Sequence, residues 1–327
     1  MLRSLFRTDR RHSKAHLLLL SEFLDPQAPE KFLKSESWQE VLKEPPQKAI
    51  ERFLKAGLIA EADLSDHLAY KFKVSELKEF LKQHGLPVSG RKQDLIGRLI
   101  QADPEGMQKA VAGLAVCRCT ERGQQVAEQY LSSEKEERIR VEQSVRDAIC
   151  RREFREASQL VATFEAKQVF SRGMNIEWGN YDSKRDVAIL KNIFTRVPKA
   201  LSRIKSESLE ELRVATALKY LWGRGNGTQW ISSDLATGLA VDAAAAINML
   251  DSHAIYLCNI ADFKRSGVVK AVGITTVNDP LVCSECQELT RKTYRLDEVP
   301  ELPYEKCSCE SGCRCFIRPV VSVPMLD

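Results

Sequence analysis

KFKVSELKEFLKQHGLPVSGRKQDLIGRLIQA, residues 71–102, carries two short amphipathic periods joined by the loop GLPVSGRK. Val74, Leu77, Phe80 and Leu81 fall on one helical stripe, and Leu95, Ile96, Leu99 and Ile100 form a second. Gly85 stands where a left-handed residue ends a helix. Ser89 and Gly90 are placed to cap the second helix, which leaves its first backbone N–H groups beside Arg91 and Lys92. Free N–H groups at a helix start attract anions. Residues 71–99 hold seven basic side chains against three acidic ones, and this excess of four equals the formal net charge of the whole chain. A negatively charged partner is the expectation.

The run Val74, Glu76-Leu77-Lys78, Leu81, Gly85-Leu86, Ser89-Gly90, Lys92, Leu95, Arg98-Leu99 resembles the SAP module. The resemblance covers about a tenth of the chain. It implies a helix–extended loop–helix unit that binds DNA, with RNA the alternative, mostly through the phosphate backbone. It also implies nucleic-acid contacts at Lys73, Lys78, Gly90, Arg91 and Lys92.

Outward from this hairpin, 327 residues leave room for two or three domains, and 43% apolar residues suffice for real cores. Trp38, Val41 and Leu42 predict one helical face; Pro45-Pro46 breaks it, and Ile50, Phe53 and Leu54 predict the next before Gly57. Asp103-Pro104 closes the second helix of the hairpin, and residues 105–132 add two helical stretches, the later opening at Thr120. Alternating charges around Ile139, Val141, Val145 and Ile149 predict an exposed helix over 133–155. Leu209, Leu212, Ala215, Leu218 and Trp222 form a core stripe. Gly223-Arg-Gly-Asn-Gly227 follows a helix rather than a strand, so it reads as a surface loop and not a phosphate cradle. An alanine-rich helical run is expected over 234–261.

The whole is a mainly α, multidomain chain. We divide it into an N-terminal helical region (1–66), the SAP-like unit (67–103), a helical extension (104–132), a helical middle domain (133–261) and a small α+β, zinc-ribbon-like module (262–327). No run of eighteen uncharged apolar residues exists, so no membrane span is expected. The basic start, with Arg3, Arg7, Arg10, Arg11 and Lys14 against Asp9, reads as a disordered terminus or a loose polyanion-binding arm, without a secretion signal. Ten cysteines in such a chain argue for a reducing compartment, the cytoplasm.

Past Val268 the composition turns β-branched, with VVKAVGITTV, KTYRL and FIRPVV reading as strands around six cysteines. Cys283-x2-Cys286 presents two thiolates to one tetrahedral ion, and a second pair from Cys307-x-Cys309-x3-Cys313-x-Cys315 completes a closed structural zinc site. The expected ligands are Cys283, Cys286, Cys307 and Cys313, with Cys309 and Cys315 as alternates. Four sulfurs leave no open position for water, so the Zn2+ is structural rather than catalytic. Cys117-Arg-Cys119 falls in an expected helical region and reads as chance or core packing, as do Cys150 and Cys258.

Residues 266–321 also resemble the C-terminal segment of phage Mu F-type head-morphogenesis proteins. The resemblance rests on Asp279, Val282-Cys283-x2-Cys286, Leu289, Tyr294, Pro300, Pro303 and Cys313-Arg-Cys315 before Pro319. That family usually has a histidine before its final Cys-x-Cys, where this chain has Cys307 and Cys309.

No His-Glu-x2-His, Gly-x-Ser-x-Gly or nucleotide-binding lysine loop is present, and His12, His16, His67, His84 and His253 are scattered. The leading expectation is therefore a nucleic-acid-binding adaptor that uses its C-terminal module to hold a protein partner. A phage-derived head-assembly or accessory protein is the alternative. A metal-dependent nucleic-acid enzyme would need carboxylates such as Asp234, Asp242 and Asp251 to converge.

Overall fold

The computed structural model describes residues 10–320 except 174–175, 224, 239–240, 278–279 and 311. The described residues are mainly helical, as expected, and divide into two compact units: Met1–Arg138 with Lys167–Ser171, and Ile139–Ala166 with Arg172–Asp327. Arg3, Arg7 and Asp279 lie outside the described residues.

The first unit begins with helices α1 (Arg10–Ser21), α2 (Glu30–Leu33), α3 (Glu36–Leu42) and α4 (Pro46–Lys55). The Ser35 side chain caps α3, and Pro46 opens α4 at the one helical position where its missing N–H costs nothing. Leu19, Leu20, Phe23, Phe32 and Phe53 build the core of these helices. Leu54, expected on the apolar face of α4, is exposed instead. Its neighbour Phe53 fills the core, and the burying stripe of α4 is narrower than the hydrophobic run. His16, Glu44 and Arg52 close this unit: Arg52 Nη1 donates to Glu44 Oε2 at 2.8 Å, and His16 Nε2 lies 2.7 Å from Glu44 Oε1. The hydrogen bond from Arg52, aided by His16 and opposed by partial burial, lowers the Glu44 pKa to about 2.

Strand β1 (Ile59–Glu61) is followed by α5 (Leu64–Lys71), α6 (Val74–Gln83), α7 (Lys92–Ala102) and α8 (Pro104–Ala110), after which β2 (Cys117–Cys119) returns antiparallel to β1. Ile59 opposes Cys119 and Glu61 opposes Cys117, so the four helices are an insertion rooted on a two-stranded ribbon. This corrects the reading of Cys117-Arg-Cys119 as helical. Cys117 is a buried strand residue of the core, and burial raises its pKa, so core packing is indeed its role. The inserted helices have their own core of Leu68, Leu77, Leu81, Leu95, Ile96 and Leu99, closed by Met107 and Val111 of the α8 end.

Helix α9 (Glu121–Cys150) follows, capped by Thr120, whose hydroxyl accepts from the Gly123 N–H at 3.2 Å. It is continuous through residues 132 and 133 and contributes to both units.

The second unit continues through α10 (Phe154–Glu165), α11 (Lys184–Thr195), α12 (Ser206–Trp222), α13 (Ser233–Gly238) and α14 (Ala243–Ser266). The α12 stripe Leu209, Leu212, Ala215, Leu218 and Trp222 is buried throughout, as its spacing predicts. The alanine-rich run is two helices rather than one, because the Asp242 carboxylate accepts the Ala245 N–H at 2.8 Å and starts α14 afresh. Inside this unit Asp186 is buried and accepts hydroxyl hydrogen bonds from Ser158, Tyr181 and Tyr220 at 2.5, 2.8 and 2.9 Å. No periodicity announces that network.

The chain ends in strand β3 (Ala271–Thr275), helix α15 (Ser284–Leu289), and strands β4 (Thr293–Arg295) and β5 (Phe316–Val320). They form an antiparallel sheet of order β4-β3-β5, with Val272 opposite both Tyr294 and Pro319. Pro319 is tolerated because β5 is an edge strand.

Candidate nucleic-acid interface and cysteine cluster

Both hairpin helices begin in the same way. Lys73 is the N-cap of α6 and its N–H donates to Glu76 Oε2 at 2.6 Å; Arg91 is the N-cap of α7 and its N–H donates to Asp94 Oδ2 at 2.9 Å. This is the carboxylate half of a capping box. It corrects the expectation that Ser89 and Gly90 cap α7: the cap comes from three residues downstream, because an extended Arg91 turns its own N–H onto the helix. The N–H groups of Lys92 and Gln93 still have no acceptor among the described residues.

The loop between the helices is built rather than loose. Gly85 has φ +67°, Leu86 N–H donates to Leu81 C=O at 2.8 Å, and Gly85 N–H donates to Lys82 C=O at 3.0 Å. These two bonds make a Schellman ending. Arg98 reaches back and donates to the carbonyls of Pro87 and Ser89, holding the loop against α7. Gly90 has φ +115°, and a Cβ there would meet Arg98 Nη2 and Asp94 Oδ2, each at 3.0 Å. Glycine is therefore demanded twice, by backbone conformation and by the approach of a charged pair.

The seven basic side chains of this region divide by role. Lys71 Nζ donates to Ala110 C=O and Lys92 Nζ donates to Ala69 C=O, both at 2.5 Å, and Arg98 is committed to the loop. Lys92 is thus half-buried and pinned on the last turn of α5, where the helix dipole favours a cation. Lys73, Lys78, Lys82 and Arg91 are exposed, and their side chains have no ionic or hydrogen-bond partner among the described residues. Val74, expected on the apolar stripe, is 41% exposed beside Lys73. Of the expected contact residues, Lys73, Lys78, Gly90 and Arg91 face solvent, whereas Lys92 is engaged within the fold.

In the C-terminal module Cys283 is the N-cap of α15 and Cys286 lies one turn in, fully buried. Helix geometry thereby sets this pair together, and two returns of the chain bring the other four sulfurs to it. Cys283, Cys286, Cys307 and Cys309 have sulfurs within 4.8 Å of one another, and Cys286, Cys313 and Cys315 form a second such set. The four converging sulfurs include Cys309 where the sequence favoured Cys313; Cys313 sits with Cys286 and Cys315 instead. The spacing of the second cysteine group is compatible with either choice. Partial burial opposes ionisation of Cys283, but the N–H groups of Cys286 and Ser308 and the neighbouring thiols outweigh it and lower its pKa to about 7. Hydrogen bonds among the crowded thiols push Cys313 down and Cys286 up. A set of thiolates this close is chemically suited to a soft cation. Among the described residues, these cysteine sets are the clusters of potential ligands close enough to share a metal ion, and Asp234, Asp242 and Asp251 are not among them. Asp242 is a helix cap and Asp251 pairs with Lys219 at 2.7 Å.

The histidines described with side chains have structural partners: His67 and His84 each contact a backbone carbonyl of their own helical turn at 2.8 Å, and His253 contacts Leu302 C=O at the same distance. No helix of the described residues is long and apolar enough to cross a membrane.

The helix–loop–helix with this cap, loop and cation arrangement is a SAP domain: the SAP domain family model matches residues 71–104. That match covers about a tenth of the chain, so it defines the class of this segment rather than of the whole protein. No curated protein and no solved structure matches the chain. The resemblance of residues 266–321 to head-morphogenesis proteins finds no support in these comparisons.

Proposed function

We propose that this protein docks on duplex DNA through the phosphate backbone, using the exposed face of Lys73, Lys78, Gly90 and Arg91, and holds a protein partner through a metal-stapled C-terminal module. The observation that carries the reading is the pairing of exposed Arg91 and Gly90 with acceptor-free N–H groups at the start of α7, within a SAP domain. Binding of this kind is sequence-independent, because phosphate contacts position a protein without reading bases. With one phosphate neutralised by each of the three cations of this face, log affinity falls against log salt at a slope of about −2.7. The test is a salt titration of duplex binding by the full chain, with single-stranded RNA of equal length as the comparison. A slope near zero, or one unmoved when Lys73, Lys78 and Arg91 are all changed to Ala, removes this surface from the proposal.

In the C-terminal module the role assigned to the metal is structural. Zn2+ suits an all-thiolate, tetrahedral set, and such a site supplies about 10–16 kcal/mol of apparent binding free energy to folding. The module then serves as a rigid head in a reducing, cytoplasmic setting. Neither the head-assembly reading nor the nuclease reading has a structural observation that favours it.

A further inference from the structure

We propose that the six C-terminal cysteines hold two soft divalent cations in one thiolate cluster, Cys283, Cys286, Cys307 and Cys309 around the first and Cys286, Cys313 and Cys315 around the second, with Cys286 shared between the two ions. The inference deepens the metal reading above and is independent of the nucleic-acid one.

The first support is the division of the sulfurs. Cys283, Cys286, Cys307 and Cys309 already make a complete tetrahedral set, yet Cys286 belongs equally to a second close set with Cys313 and Cys315. A single ion would leave Cys313 and Cys315 as spectators, and both are almost fully buried, at 2% and 3% exposure, against the sulfur of Cys286.

The second support is distance. Zinc–sulfur bonds of about 2.3 Å at tetrahedral angles give a sulfur–sulfur edge of about 3.8 Å. Cys283 to Cys307, in the first set, measures 4.0 Å, and Cys286 to Cys313, in the second, measures 3.9 Å. One edge in each set therefore matches that of a single-ion tetrahedron, and the remaining sulfurs of each set lie within 4.8 Å of one another. An iron–sulfur cube would spread its cysteines further, because iron and inorganic sulfide stand between them.

The third support is the distribution of backbone donors. Cys283 N–H points at Cys309 Sγ at 3.3 Å and Cys309 N–H at Cys307 Sγ at 3.5 Å, the outer-shell donors that metal-bound thiolates use. Tyr304 N–H points at Cys313 Sγ at 3.4 Å. A spectator thiol needs no such donor, and the second set has one as the first does. Charge balance agrees: two dications against six thiolates leave a net −2, the same as one dication against four, whereas one dication among six thiolates would leave −4 buried or require two protons.

The experiment uses the full chain purified anaerobically after washing with a weak chelator. Elemental analysis against amino-acid quantitation is expected to give two zinc ions per chain. Exchange to cadmium-113 is expected to give two NMR signals, both in the thiolate-rich range and coupled to one another through a shared sulfur. Cys315→Ser is expected to lower the count from two to one while duplex binding by the SAP domain persists. One zinc per chain in the unsubstituted protein overturns the two-ion inference and leaves the single-site reading standing. No zinc overturns both. Two zinc ions with two uncoupled cadmium signals overturn the shared Cys286, and a count of two retained in Cys315→Ser overturns that residue's place in the second set.

Discussion

Between Leu64 and Val111 the chain folds around aliphatic side chains and leaves its chemistry on the surface. Between Ala271 and Val320, a stretch of similar length, it folds around sulfur and carries its chemistry in the core. The inserted helices bury Leu68, Leu77, Leu81, Leu95, Ile96 and Leu99 completely, and the cations at Lys73, Lys78 and Arg91 take no part in that packing. In the C-terminal module Cys286, Cys313 and Cys315 belong to the same buried cluster as Val272, Ile274 and Ile317. The lesson is that function and stability are separable in the first region and fused in the second. A surface cation can be removed from a fold that does not use it, whereas on the proposed metal reading a core thiolate cannot lose its ion without leaving unpaired charge in an apolar setting.

Chelation is the strongest way to break the comparison. On the proposed metal reading, stripping the ion removes a stabilisation of about 10–16 kcal/mol from this module. Hydrogen exchange on the full chain should then show residues 271–320 losing protection while α5–α8 keep theirs. Equal protection in both regions before and after chelation would show that the sulfur core stands on packing alone.

Next in size are substitutions at the built loop. Gly90→Ala forces a side chain into φ +115° and against Arg98 and Asp94, with an expected loss of about 1–3 kcal/mol confined to α5–α8. Urea unfolding followed separately in the two regions checks it; a loss shared by the cysteine module would break the separation. Acid treats the regions differently as well. The first unit contains Glu44, whose pKa is lowered from the model-compound 4.5 to about 2 by Arg52 and His16. Its stabilising contribution is complete above about 4.5 and is lost as pH falls from there toward 2. After solvent screening of this partly exposed group we expect about 1–2 kcal/mol. Thiolate ligands take up protons and release metal well above that range. On acidification, zinc release measured by a chromogenic chelator should therefore precede any loss of α1–α8 helicity, and the reverse order would contradict the assignment.

The two regions were also unequally legible. The hairpin could be read because its signals are local: stripes at three- and four-residue steps, a Gly85 that ends one helix, and a basic loop. The strands β3, β4 and β5 were likewise visible as β-branched runs. What escaped was non-local. Strands β1 and β2 are three residues long and stand far apart in sequence, so neither shows an alternation that announces its partner. Cys309 and Cys313 both fit a ligand spacing, and spacing does not tell that Cys309 lies with Cys283, Cys286 and Cys307 while Cys313 lies with Cys286 and Cys315. The SAP resemblance implies a phosphate contact at Lys92, yet its ammonium ends on the Ala69 carbonyl of a different helix. The three hydroxyls on Asp186 come from three separate segments and leave no pattern at all.

Lys92 gives the smallest effect and the finest test, because it and Arg91 are neighbours with the same charge and opposite employment. Arg91 has no side-chain partner among the described residues, so Arg91→Ala should leave thermal stability nearly unchanged and flatten the salt slope of duplex binding by about 0.9, one phosphate contact. Lys92 satisfies a carbonyl at the last turn of α5, so Lys92→Ala should cost about 1–2 kcal/mol of SAP-domain stability and leave the slope unaltered. Fluorescence anisotropy with a short duplex at four salt concentrations, alongside thermal melts of both variants, separates the two outcomes. If Lys92→Ala flattens the slope as Arg91→Ala does, Lys92 leaves Ala69 when DNA arrives, and the division between surface function and internal packing does not hold at this position.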